Sequence, residues 1–287
     1  MYLIAGVSGK TGAAAATALL EKGQPVRVLV RSEEKGRSWR SKGAEVAVAS
    51  LDDAAALARA MTGVKGAYLL VPPDLNATDF TARGRRLLGA MAEALGTSRV
   101  PHVVFLSSIG AQLEKGTGPV VILHEGEEQL SGLRDTRATF IRAGYFMENI
   151  GSLISVARTQ GVLPCLFEPS RRIAMIATAD IGQTAAQALL EPPGHNEVIE
   201  LEALQESSYA DAARILARLL GRPVEAVRVP DEAVIPTLVQ SGFSEHVAGL
   251  FREMAHALDT GTMSFHSGDA RHLRGPTTLE SVLAKLV

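Results

Sequence analysis

The chain has 287 residues, 46% hydrophobic and 21% charged, which is enough apolar material for a large core and excludes a disordered chain. With 29 basic and 31 acidic residues the net charge is −2, so no overall positive field favours binding of nucleic acid or of an anionic membrane. We therefore expect a small-molecule partner, and the protein can be a monomer or a homodimer. The single cysteine, Cys165, excludes an internal disulfide and a thiolate metal cluster, and cytoplasm is the default location.

In the first half, up to about Ile141, short β-branched runs alternate with Ala- and Leu-rich stretches of helical period. Because each crossover is too long for a hairpin, this pattern predicts an α/β fold with a doubly wound parallel sheet and helices on both faces. The predicted strands are Tyr2–Val7, Val26–Val30, Glu45–Ala49, Ala67–Val71, His102–Leu106 and Thr139–Arg142, and the helices start near Gly12, Ser38, Ala54, Asp79 and Glu125. The apolar run at Tyr2–Val7 is too short for a signal peptide or a membrane span.

Beyond Gly144 the alternation stops and prolines interrupt the chain. We predict a smaller C-terminal α+β lobe for substrate at 145–287, next to a nucleotide-binding domain at 1–144 to which 172–190 returns. Its predicted elements are short strands at Ile173–Ile176 and Val198–Leu201 and helices at Asp180–Leu190 and Tyr209–Leu220.

The stretch AGVSGKTG, from Ala5 to Gly12, has two interpretations. As a P-loop it would need a glycine five residues before Gly9, and that position is Ile4, so the loop is too short to surround a triphosphate. As a dinucleotide turn it has a strand, three glycines and a helix in the required order. Gly6 would permit the tight turn, Gly9 the approach of phosphate, and Gly12 the packing of helix on strand, so the sequence favours a Rossmann dinucleotide site.

The choice of cofactor is made at the end of the second strand. Binders of NAD place a carboxylate there to accept hydrogen bonds from the ribose hydroxyls, whereas this chain has Arg31. A guanidinium suits a 2′-phosphate, and Lys10 is a possible second cation, so we predict NADP(H). The alternative is that both are solvated surface charges.

Further segments carry a family resemblance: VLVRS at 28–32, SLDDAAAL at 50–57, VVFLSSIGA at 103–111, FIRAGYFMENI at 140–150, GVLP at 161–164, ATADIGQTAAQAL at 177–189 and YADAARILARLLGRPV at 209–224. With the glycine turn, they make the chain resemble the NmrA-like branch of the atypical short-chain dehydrogenases, nearly end to end. That branch includes NADPH-dependent quinone oxidoreductases and regulators that bind the dinucleotide without turnover.

The resemblance implies a set of cofactor contacts. Those for the pyrophosphate are Gly6, Ser8, Gly9, Lys10, Thr11 and Gly12, with Arg31 on the 2′-phosphate, Leu51 and Asp52 near adenine, and Leu70, Val71 and Pro72 behind the nicotinamide ribose. Family members usually have an aspartate where this chain has Ser50.

The Tyr-x-x-x-Lys pair of ordinary short-chain dehydrogenases is missing, since no tyrosine lies between Ser107 and Leu130. Instead His124 and Glu128 stand four residues apart, resembling the His-x-x-x-Glu of quinone-reductase members. His124 is predicted to bond a ribose hydroxyl or a substrate carbonyl. The alternatives are an exposed histidine without a role or a metal site, and since no third ligand is evident, no metal is predicted.

Gly144 ends the sixth strand, and Tyr145, Phe146 and Asn149 follow at the sheet's carboxyl edge, where ligands bind in such sheets. We predict substrate contacts for all three, with packing of the lobe junction as the alternative for the two aromatic rings. Asn149 is also a candidate catalytic residue, on the premise that it is buried and needs polar partners.

Two functions therefore remain open. The first is an NADPH-dependent reductase of a quinone or small conjugated carbonyl, for which a delocalised hydroquinone anion makes the missing tyrosine tolerable. The second is an NADP(H)-sensing regulator of a protein partner. An epimerase or dehydratase with bound NAD is disfavoured by Arg31 and by the missing Tyr-x-x-x-Lys pair.

Overall fold

The computed structural model describes residues 1–265 and 268–287. The first half alternates strands and helices: β1 (Tyr2–Ile4), α1 (Lys10–Glu21), β2 (Val26–Val30), α2 (Glu33–Arg40), β3 (Glu45–Val48), α3 (Ala54–Met61), β4 (Gly66–Leu69), α4 (Phe80–Ser98), β5 (His102–Ser108), α5 (Val121–Ser131) and β6 (Arg137–Ala143). The second half contains β7 (Tyr145–Phe146), a 3-10 helix at Met147–Leu153, α6 (Ile154–Gln160), β8 (Val162–Cys165), β9 (Met175–Ile176), α7 (Thr178–Leu190), β10 (Glu197–Ala203), α8 (Tyr209–Leu220), β11 (Glu225–Arg228), α9 (Asp231–Gln240), α10 (Glu245–Thr260), β12 (Arg271–Gly275) and α11 (Leu279–Leu286).

An eight-stranded sheet of order β12-β10-β6-β5-β4-β1-β2-β3 forms the centre of the molecule. Every pairing in it is parallel. Six of the strands have the order 3-2-1-4-5-6, which places a topological switch point between β1 and β4. The predicted Rossmann fold is therefore confirmed.

Helices cover both faces of this sheet. One face carries α1 and α7, and the other carries α3, α4 and α5. A Cβ built at Gly182 of α7 would lie 2.3 Å from the Cβ of Ala14 and 2.7 Å from the amide of Ala15. The small residues of α1 thus allow α7, from the second half of the chain, to pack directly against it.

The second half forms its own apolar core under α6, α8, α10 and α11. Two parallel strand pairs, β7–β9 and β8–β11, supplement it. The same half also supplies β10 and β12 to the central sheet. The sheet thus extends past the predicted domain boundary at residue 144, and the division into two domains stays a prediction.

Several predicted boundaries differ from the structure, among them the helix expected near Glu125, which begins at Val121. The helix expected near Ser38 begins at Glu33, because Ser32 is its N-cap and two acidic residues, Glu33 and Glu34, favour the positive end of the helix dipole. The first strand ends at Ile4 and not at Val7, because the glycine turn begins there. None of the helices in the described ranges has the length and apolar character needed to cross a membrane.

Candidate cofactor and active site

The glycine turn joins β1 to α1 at the switch point. Gly6 has a left-handed φ of +70°, and a Cβ there would lie 2.5 Å from Cδ2 of Leu70. The amide of Gly9 donates to the carbonyl of Gly6 over 2.8 Å. A Cβ at Gly12 would lie 2.4 Å from the carbonyl oxygen of Ala5, so only glycine lets α1 approach the strand this closely.

The N-terminus of α1 is open to a ligand. Its N-cap, Gly9, has no side chain to occupy the first amides, and the first turn contains no acidic residue. Ser8, Gly9 and Lys10 are exposed, whereas Thr11 and Gly12 are buried against the sheet. The free amides and the positive end of the helix dipole therefore face solvent, as an anion site requires.

Arg31 and Lys10 are exposed cations near this turn. Arg31 directly follows β2, next to β1 in the sheet. Neither residue forms an ion pair within the described ranges. Both charges are therefore available to an anionic group of a ligand.

The segment after β3 holds a carboxylate in place. The hydroxyl of Ser50 bonds the Asp52 side chain and is the main reason why the pKa of Asp52 lies below its usual value, with Arg83 and Arg86 adding smaller contributions. The neighbouring Asp53 is committed to the N-terminus of α3, where its Oδ1 accepts from the amide of Ala56 over 2.9 Å. Asp52 is thus the ionised group that remains available beside the half-buried Leu51.

The loop after β4 is tied down by one arginine. Arg83 donates to the carbonyl of Pro72 over 3.0 Å and pairs with Asp74 at 3.2 Å. Leu70, Val71 and Pro72 are half-buried, so they form a fixed and partly open wall beside the glycine turn.

His124 lies on the first turns of α5 with both ring nitrogens directed at protein groups. Its Nδ1 is 2.8 Å from the carbonyl oxygen of Ala111, so Nδ1 carries a proton and donates. Its Nε2 is 3.7 Å from Oε1 of Glu128, an exposed side chain. The predicted pair of His124 and Glu128 is therefore formed, and both side chains line an open cleft of about 430 Å³ between α5, β6 and β10. In the described ranges no three His, Cys, Asp or Glu side chains are grouped to bind a metal.

Beneath His124 lies a buried polar cluster. Glu127 accepts from Oγ of Ser107 over 2.5 Å and from Nε and Nη2 of Arg142 over 3.0 and 2.5 Å. The side chains of Glu127 and Arg142 are 9% and 15% exposed. Ser107 is thus committed to holding α5 on the sheet.

The segment after β6 turns sharply at Gly144, where a Cβ would lie 2.7 Å from the carbonyl oxygen of Ala174. Tyr145 packs into the C-terminal core, while Phe146 packs against the core on the α1 face. Both rings keep some exposed surface, so packing and ligand contact are compatible.

The expected burial of Asn149 is wrong. Asn149 is exposed, because the 3-10 helix turns Met147 and Ile150 inward and leaves Asn149 on the outer side. The argument that a buried amide needs polar partners therefore does not apply to Asn149, and it gives no reason to assign this residue a catalytic role.

The model of the NmrA-like family matches residues 2–283. The chain belongs to the NmrA-like family. A reductase of (4-alkanoyl-5-oxo-2,5-dihydrofuran-3-yl)methyl phosphate from Streptomyces griseus is 28% identical over 263 residues, covering 91% of this chain and 88% of that protein.

Two solved structures share the fold of this NmrA-like protein. An NADPH-dependent quinone oxidoreductase of Escherichia coli, complexed with NADPH, superposes with a TM-score of 0.83 at 21% identity, over 100% of this chain and 99% of the other. A triphenylmethane reductase of Citrobacter sp., complexed with NADP(H), gives a TM-score of 0.84 at 20% identity and full coverage of both chains. Both confirm the fold that the family resemblance implied.

Sequence reasoning missed two features of the NmrA-like chain. The buried acid of α5 is Glu127, next to the predicted Glu128, and the apolar spacing of Ile122, Gly126 and Leu130 on the inner face was the available signal. The second is Tyr209, whose hydroxyl lies 2.9 Å from that of Tyr145. Sixty-four positions separate these two tyrosines, and no local pattern connects them.

Proposed function

We propose that this NmrA-like protein is an NADP(H)-dependent reductase of a quinone or small conjugated carbonyl. The observation that carries the proposal is the open, glycine-built N-terminus of α1 with two unpaired cations beside it, Lys10 and Arg31. The reductase activities of the relatives named above support the reaction class.

The residues present fit this cofactor. The amides of Ser8, Lys10 and Thr11 would receive the pyrophosphate, since no side chain caps this helix end, while Gly9, whose own amide is bonded to Gly6, would let the phosphate approach the backbone. Arg31 would hold the 2′-phosphate, because its guanidinium donates to phosphate and cannot accept from a ribose hydroxyl. Asp52 would accept from the amino group of adenine beside Leu51, in place of the aspartate that Ser50 replaces. Leu70, Val71 and Pro72 would lie behind the nicotinamide ribose.

When bound, NADPH supplies the hydride, and the protein supplies position and exclusion of water. Phe146, partly exposed at the carboxyl edge, would stack on a flat substrate ring. His124 would act from the α5 side through Nε2, since Nδ1 is held by Ala111. With this function we propose that residues 1–144, together with 172–190, bind the cofactor and that the rest of 145–287 binds the substrate. Asn149 would contact the substrate from its exposed position.

The experiment titrates NADPH and NADH into the purified protein and then follows NADPH oxidation with menadione and with conjugated aldehydes and ketones. We expect tighter binding of NADPH than of NADH, and turnover of at least one probe. Tight NADPH binding without turnover of any probe would contradict the enzyme and favour an NADP(H)-sensing regulator of a protein partner. Equal binding of the two cofactors would contradict the role of Arg31.

A further inference from the structure

The tyrosines of this chain differ sharply in their surroundings. Tyr2, Tyr68 and Tyr209 are buried, whereas Tyr145 is half-buried. Tyr145 also lies two residues after the end of β6, at the same carboxyl edge of the sheet as the glycine turn. A phenol in that place can meet both protein and substrate.

The two hydroxyls of Tyr145 and Tyr209 are 2.9 Å apart, and either oxygen is geometrically able to donate. Tyr209 is only 4% exposed and stacks edge-on against Phe167 at 5.3 Å, so its proton needs a protein acceptor. In the described part of the chain the one acceptor it bonds is the oxygen of Tyr145. Leaving a buried hydroxyl proton unpaired costs about 1–3 kcal/mol, so Tyr209 donates and Tyr145 accepts.

This direction leaves the proton of Tyr145 free to point away from the core. The amide of Asn149, on the exposed side of the turn, adds a second bond to the Tyr145 hydroxyl, and both bonds favour its ionised form. Burial has the larger effect and raises the pKa of Tyr145, so the group stays protonated at neutral pH. Tyr145 thus has the arrangement of a general acid: a held proton and two donors ready for the oxygen that loses it.

We propose that Tyr145 is the catalytic proton donor to the substrate oxygen, and that Tyr209 is a positioning residue that fixes its donating orientation. The inference rests on the proposed reductase function. It gives this chain a phenolic acid from the segment after β6, in place of the tyrosine that α5 lacks.

In the proposed step, hydride and proton reach opposite ends of the substrate C=O bond. The hydride of NADPH forms a C–H bond at the electrophilic carbon, and the π pair of the C=O bond moves to oxygen. That oxygen bonds the Tyr145 proton, the O–H bond of Tyr145 breaks, and its electron pair stays on the phenolate. Solvent water then reprotonates Tyr145 past the exposed Asn149, so one NADPH and one proton convert the carbonyl to an alcohol. For a quinone, the hydride would go to one carbonyl oxygen, the electron pairs would shift through the ring, and the second oxygen would take the Tyr145 proton, which gives the hydroquinone.

The experiment compares Tyr145→Phe and Tyr209→Phe with Tyr2→Phe, which removes the same atom from a buried tyrosine in β1. NADPH oxidation is followed with menadione and with a conjugated aldehyde. For the aldehyde, general acid catalysis accelerates the reaction about 100-fold or more, so Tyr145→Phe should lower kcat by roughly that factor. For menadione, whose hydroquinone anion is delocalised, the loss should be less than about tenfold.

Tyr209→Phe tests the positioning role separately. It should lower kcat for the aldehyde by about tenfold, as expected for one hydrogen bond, with KM and Tm near the wild-type values. Tyr2→Phe should leave the ratio of the two activities unchanged. If either test variant lowers both activities equally, or neither, the Tyr145 assignment is overturned. Absence of turnover in the wild type overturns the proposed function itself, a different result.

Discussion

Replacement of Glu127 by alanine tests whether the buried cluster under α5 holds the site together. The change removes an acceptor of three hydrogen bonds, from Ser107 and from two nitrogens of Arg142. It leaves the guanidinium, only 15% exposed, without its counter-charge. Breaking a buried pair in this way costs about 3–5 kcal/mol, because the remaining charge is neither solvated nor paired.

The neighbouring Glu128 gives a matched control. Its side chain is 69% exposed and its partner is His124 at 3.7 Å, so Glu128→Ala should cost less than about 1 kcal/mol. At about 2 °C per kcal/mol for a chain of this size, Tm should fall by roughly 6–10 °C for Glu127→Ala and by about 2 °C or less for Glu128→Ala. The assay is thermal unfolding followed by circular dichroism.

A third variant separates charge from packing. Glu127→Leu combined with Arg142→Met replaces the pair by apolar side chains of similar size, and should recover most of the lost stability. Equal melting temperatures for Glu127→Ala and Glu128→Ala would refute the reasoning, since burial would then make no difference to the two acids.

Three further predictions concern the turn, the cofactor and pH. Arg31→Asp should weaken NADPH binding at least tenfold more than NADH binding, from the loss of about 1.5–3 kcal/mol, whereas Arg37→Asp on the exposed side of α2 should leave the ratio unchanged in the same titration. Gly12→Ala should lower Tm or prevent folding, since its Cβ would lie 2.4 Å from a strand carbonyl, while Gly89→Ala in α4, with no atom within 4 Å, should be neutral or slightly stabilising. Burial lowers the pKa of His102 from 6.5 to about 4, so its contribution to stability is complete above pH 6.5 and is lost as pH falls toward 4, because the unfolded chain takes up the proton first. In urea unfolding, His102→Gln should reduce the slope of the unfolding free energy against pH in this range, and an unchanged slope would contradict the prediction.

The first half of the fold was predictable because local signals and long-range pairing agree there. Each β-branched run ends at a turn, and Gly6 and Gly12 have the roles that their spacing predicts. The alternation of strand and helix then leaves few topologies for a parallel sheet. These constraints predict a doubly wound parallel sheet, and the structure adds the order 3-2-1-4-5-6 of the first six strands.

The sequence predicts β10 only as the short strand Val198–Leu201 of the second lobe, and it does not predict β12, because both strands contain several charged residues. β12 reads RHLRG and β10 reads EVIELEA, yet Glu200 and Glu202 of β10 are 1% and 8% exposed. The Glu202 carboxylate is paired with His272 of β12 at 3.0 Å. A sequence pattern registers the polarity of these residues, but it contains no information about which distant side chain compensates it.

The candidate site shows the same division. The glycine turn and Arg31 are local features with a fixed place in the fold, so sequence alone located them. The choice between Glu127 and Glu128 depends on which side of α5 faces the sheet, and the exposure of Asn149 depends on a 3-10 turn that apolar spacing at Met147 and Ile150 sets. The contact of Tyr145 with Tyr209 is purely tertiary.

The packing of α7 on α1 has a consequence for how this chain can be divided. Gly182 lies so close to Ala14 and Ala15 that the two helices share one tightly fitted surface. A fragment ending at residue 144 would expose that surface and the edge of β6 that pairs with β10. The first half of the chain is therefore not a transferable module, and gene fusions or split versions of this protein must keep residues 1–144 together with α7 and β10.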